Sequence, residues 1–120
     1  MPIDKHRELS TRTKNFALRI IKLSEALPRT RAANIISNQI LRSATSIAAN
    51  YRACGRARSK AEFIAKIGIV IEEADETVLW LELLIESKIV PAARLEALMT
   101  EANQLLAIFS ASGRTAKNGR

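Results

Sequence analysis

Asn38–Leu84 reads NQILRSATSIAANYRACGRARSKAEFIAKIGIVIEEADETVLWLELL. Apolar residues recur at steps of three and four on both sides of a short basic segment, Gly55-Arg56-Ala57-Arg58-Ser59-Lys60. That is the spacing of two amphipathic helices joined at a tight turn. Gly55 is placed to end the first in a left-handed cap. Ser59-Lys60-Ala61-Glu62 is a capping box that starts the second just before Phe63-Ile64. The expected spans are Arg31–Cys54 and Ser59–Ser87. The inward face of the first is Ala33, Ile36, Ile40, Ala44, Ile47, Tyr51 and Cys54; that of the second is Phe63, Ile67, Val70, Ile71, Ala74, Val78, Leu81 and Ile85. Ser43 and Asn50 fall at the margin of the inward face, either as hydrogen-bonded register pins or as a partly solvated pair. Gly68 interrupts a strong helix former run, and close contact with another helix would account for it.

Upstream, Leu9, Thr13, Phe16, Ile20, Leu23 and Leu27, widened by Ala17 and Ile21, predict a helix from about Ile3 to Ala26. Leu27-Pro28 stops it, and Thr30 is placed to cap the next helix. Downstream, Pro91 suits a first turn, and Leu95, Leu98, Ala102, Leu105 and Phe109 form a fourth stripe. The expected fold class is all-α, an antiparallel up-down-up-down four-helix bundle over residues 1–112. Residues 113–120, GRTAKNGR, are expected to form a basic disordered tail.

Composition agrees with this reading. In 120 residues there are 4 Gly and 3 Pro, and 48% of the chain is hydrophobic with 4% aromatic, so the core must be built from aliphatic side chains. No apolar run approaches the roughly 20 residues of a membrane span. The start, MPIDKHRELSTRTK, lacks the apolar stretch of a signal peptide, and the lone Cys54 has no partner for an internal disulfide. A cytoplasmic protein is expected.

The net charge of +7 is unevenly spread: residues 1–60 carry 13 Lys/Arg against 3 Asp/Glu, and residues 61–120 carry 6 against 9. Either the two halves neutralise one another in the packed bundle, or a positive surface is left to attract a polyanion. For the second case the candidate nucleic-acid contacts are Arg52, Arg56, Arg58 and Lys60 around the central turn, with Arg12, Arg19 and Lys22 along the first helix. The third helix carries a second apolar set away from its core face, including Ile69, Leu79, Trp80 and Leu83, which predicts an oligomer interface. Its acids, Glu62, Glu72, Glu73, Asp75, Glu76, Glu82 and Glu86, sit largely around that face.

Enzymatic chemistry finds no support. Di-iron bundles need Glu-x-x-His pairs on two helices, and the one histidine, His6, precedes no such motif. Cys54 lies on an inward stripe with no orienting group for a Cys–His pair, and no glycine loop of nucleotide-binding spacing is present. No metal site, cofactor or catalytic residue is expected. A base-reading helix-turn-helix is poorly matched, because the helix after the turn is long and apolar on two sides.

Gln39 to Tyr51, QILRSATSIAANY, resembles the second-helix signature of the four helix bundle protein family, also called the 23S rRNA intervening sequence or S23 proteins. The resemblance continues through Arg58-Ser59-Lys60-Ala61-Glu62-Phe63, Glu72 to Thr77 and Trp80-Leu81, covering roughly residues 9 to 110. It implies an up-down four-helix bundle and, as partner, further copies of the chain in a homopentamer. Some members are encoded within ribosomal RNA genes. A related branch, the accessory protein of diversity-generating retroelements, is a basic pentamer that binds nucleic acid and a reverse transcriptase. The expected function is that of a non-enzymatic, homo-oligomeric nucleic-acid-binding accessory protein. The alternative is a protein–protein adaptor that binds no nucleic acid.

Overall fold

A computed structural model describes residues 4–119; Ile3, expected near the start of the first helix, and Arg120, expected in the tail, lie outside the described residues. Four helices follow in order: α1 (Lys5–Ala26), α2 (Arg31–Cys54), α3 (Lys60–Glu86) and α4 (Ala92–Lys117). Local chemistry sets their ends. The Asp4 carboxylate accepts from the backbone N–H of His6 at 3.0 Å and of Arg7 at 3.3 Å, and Thr30 Oγ1 accepts from Ala33 N–H at 3.2 Å. Ser59 Oγ accepts from Glu62 N–H at 3.0 Å while Glu62 Oε1 accepts from Arg58 N–H at 3.3 Å, a reciprocal closure of the α2–α3 corner.

The end of α3 was not marked by any glycine. Lys88 adopts φ 64°, its N–H donates to Ile85 O at 3.0 Å, and Ile89 N–H reaches back to Leu84 O at 3.1 Å. That is a Schellman closure with lysine in the left-handed position.

α2 packs against α1 and α3, α3 packs against α2 and α4, and α1 meets α4 over a shorter stretch that closes the bundle. The antiparallel up-down-up-down order is therefore as expected. The core is Phe16 and Ile20 of α1, the full predicted α2 stripe, Ile67, Val70, Ala74, Val78 and Leu81 of α3, and Leu95, Leu98, Ala102, Leu105 and Phe109 of α4. Thr77 and Leu84 are also fully buried, although neither stood on the predicted α3 stripe. Ile21, read as inward, is 38% exposed.

Three further readings change. The segment from Gly113 is not a disordered tail: α4 continues to Lys117, and Gly113 is buried with Ile71 Cδ1 3.2 Å from where a β-carbon would stand. The long α3 needs cover along its first turns, and the extra turn of α4 supplies it. Gly68 is not explained by close packing, since a β-carbon there would meet nothing within 4 Å. Gly55 has φ −68°, so it is not a left-handed cap; a β-carbon there would instead run into the His6 ring.

Candidate nucleic-acid interface

The start of α1 lies beside the end of α2, and a stack of rings joins them. His6 lies on Tyr51 with ring centroids 4.8 Å apart and planes 26° apart, and Tyr51 in turn meets Phe109 at 5.1 Å. His6 also shares a hydrogen bond with Ser10 Oγ at 3.3 Å. Burial, with smaller contributions from Cys54 and Asp4, pushes the Tyr51 phenol up to about 12. Burial likewise raises the Cys54 thiol, an inert core group by that measure.

Outside this stack an open hollow of about 430 Å³ is lined by Arg7, Lys14, Arg52 and Arg56, with Asp4, His6, Ser10, Thr11 and Gly55. The four cations are exposed and make no ion pair with any described residue. Two of them, Arg52 and Arg56, are among the residues expected from the sequence. Arg7 and Lys14 were missed. They stand seven apart on α1, two turns on one face, but on a different row from the Arg12–Arg19 repeat that drew attention.

The other five expected residues lie elsewhere. Arg12 is tied to α4: its Nε and Nη2 donate to Glu101 at 2.9 and 2.7 Å, and Nη2 also reaches Gln104 at 2.9 Å. The hydrogen-bonded Arg12 guanidinium holds the Glu101 carboxyl below the ordinary glutamate range, and Glu101 raises Arg12 in return. Arg12 is thus not a free cation for a polyanion. Arg58 and Lys60 are exposed at the α2–α3 corner, where Lys60 borders a separate shallow hollow with Phe63 and Thr115. Arg19 and Lys22 line a groove at the far end of α1.

The expected oligomer face is also resolved by residue. Ile69, Leu79 and Leu83 are 42%, 45% and 38% exposed. Trp80 departs from the reading: it is half-buried against the core, and its indole N–H is buried without a hydrogen-bond partner among the described residues. Glu73 Oε1, two turns away, is likewise buried and unpaired. On the α2 side, Ser43 and Thr77 are fully buried and share a 2.8 Å hydrogen bond, and Asn50 donates to Ser46 O at 3.0 Å. Arg42 bridges to Glu73 at 4.0 Å and Glu76 at 3.5 Å. Leu18 and Ile35, at 54% and 56%, are further exposed apolar residues that the stripe counting did not single out.

Among the described residues no group of three or more His, Cys, Asp or Glu converges as metal ligands, and no helix is long and apolar enough to cross a membrane.

Comparison with known proteins agrees with the architecture. A crystal structure of a protein of unknown function from the S23 ribosomal protein family of Bacteroides thetaiotaomicron VPI-5482 is similar, with 33% identity and a TM-score of 0.84 over 92% of this chain and 99% of that one. No curated protein matches. The profile of the 23S rRNA-intervening sequence proteins matches residues 5–111. With that span, this fold and that neighbour in agreement, the chain belongs to the 23S rRNA-intervening sequence protein family.

Proposed function

We propose that this chain is a non-enzymatic, self-associating accessory protein that holds RNA or DNA by its phosphate backbone. The observation that carries the proposal is the hollow between α1 and α2, where four unpaired cations converge with the hydroxyls of Ser10 and Thr11. Arginine forks and hydroxyl donors suit phosphate oxygens, and phosphate contacts hold a nucleic acid whatever its base sequence. Arg58 and Lys60 extend the positive surface around the corner.

Self-association is supported by the exposed apolar residues of α3, which would repeat the hollow across an assembly. Repetition raises the strength of a weak site by effective concentration. The same strip favours a second reading, an adaptor that docks another protein and leaves nucleic acid alone.

Fluorescence anisotropy with labelled single-stranded RNA and duplex DNA at low salt separates the two. Arg52→Gln with Arg56→Gln should weaken binding at least about tenfold, since two phosphate contacts are lost. Arg12→Gln, already committed to Glu101, should leave binding nearly unchanged. Absence of binding by either nucleic acid at low salt would leave the adaptor reading in possession.

A further inference from the structure

The surface row of α3 and the groove at the far end of α1 are complementary to each other and not to themselves. Ile69, Glu72, Glu76, Leu79, Leu83 and Glu86 follow one another at steps of three and four, so they share one face of α3. Three exposed apolar side chains share that face with three carboxylates. Glu76 is engaged by Arg42, whereas Glu72 and Glu86 are exposed and make no ion pair with a described residue. The row is therefore apolar and acidic.

Across the molecule, where α1 and α4 meet over their short stretch, a groove of about 560 Å³ opens. Leu23, Leu27 and Ile89 are only partly covered in it. Arg19, Lys22 and Arg94 stand exposed around it. Its volume is within the range of clefts that bury a bound group. The groove is apolar and basic.

We infer that the α3 row of one copy docks in the α1/α4 groove of the next. The inference rests on the self-association reading and says what the exposed row binds. Charge decides the pairing. Row against row would set carboxylates against carboxylates, and groove against groove would set cations against cations, whereas row against groove pairs acids with Arg19, Lys22 and Arg94 around an apolar centre. The two surfaces are different parts of the bundle, the outer face of α3 and the α1/α4 groove, so the contact is head-to-tail. Such a contact leaves each copy with one used row and one used groove, and it propagates until a ring closes or a filament grows.

Two variants test it without touching the core. Leu79→Lys with Leu83→Lys spoils the row, and Lys22→Glu with Arg94→Glu spoils the groove. Sedimentation gives the mass of wild type, of each variant alone, and of the equimolar mixture, at the highest soluble concentration. The expected result is a wild-type assembly larger than a dimer, two monomeric variants, and a mixture at twice the 13.3 kDa chain mass. The mixture dimerises because one intact row and one intact groove remain. A groove variant that assembles like wild type overturns the inference and leaves self-association standing. Two monomeric variants that do not pair in the mixture overturn it as well. Wild type that stays monomeric removes the self-association reading itself, and the inference with it.

Discussion

Gly68 and Gly113 exchange the roles their neighbourhoods suggest. Gly68, in the middle of α3, faces open space, while Gly113, read as the start of a tail, is buried where Ile71 of α3 comes close. Gly68→Ala should therefore stabilise the fold by about 1 kcal/mol, the ordinary helix penalty of glycine, read as a higher urea midpoint. A loss of stability instead would mean that another molecule covers that surface in solution. Gly55 was legible as punctuation but not in its purpose, because the His6 ring that occupies its side-chain space is 49 positions away in sequence. Tyr51 supplies a pH test. As the only tyrosine, its phenolate absorbance should rise with a midpoint near 12. An unfolded tyrosine ionises near 10. Since the folded form holds its proton above that value, the contribution of Tyr51 to stability is intact below about pH 10 and falls as pH rises toward 12. A midpoint near 10 in the folded protein would contradict the burial of this ring.

Element by element, periodicity predicted most of the core because buried positions on a helix recur with the backbone's own repeat. All seven predicted inward residues of α2 are buried, and the five of α4 are too. What periodicity does not encode is the partner. Arg12 reads in the sequence as a candidate nucleic-acid contact, and only the packing of α4 brings Glu101 and Gln104 to it. Thr77 is buried because Ser43 faces it from α2, a match between residues 34 apart in sequence. The extension of α4 to Lys117 was hidden by a glycine that usually signals an end. The Arg12–Glu101 latch makes a prediction at this scale. Arg12→Met should cost about 1 kcal/mol, discounted because the arginine side chain is 34% exposed. Glu101 has its pKa lowered, so its share of stability is present above the ordinary glutamate value of about 4.3 and is lost as pH falls below it. Acid unfolding curves should accordingly converge for wild type and Arg12→Met at low pH. A gap that stays constant to pH 3 would show that the latch does not titrate.

On the scale of the whole molecule, three different sides of one bundle carry three different surfaces. The apolar, acidic row lies on α3, the apolar, basic groove between α1 and α4, and the basic hollow between α1 and α2. The uneven charge of the sequence is thus neither simply neutralised nor simply a binding patch: part is spent on Arg12–Glu101 and Arg42–Glu76, and part stays free in the hollow and the groove. Composition could announce the surplus but not its division, because the division depends on which helix lies beside which. If the hollow holds nucleic acid by its phosphates, affinity must follow counterion release. The most direct measurement is the dissociation constant of wild-type protein for a labelled single-stranded RNA, taken across about 50 to 200 mM salt. Four phosphate contacts per hollow predict a log–log slope of about −3 or steeper, reduced by at least one in Arg52→Gln/Arg56→Gln. Binding that ignores salt, or a slope the double substitution leaves unchanged, would contradict the account.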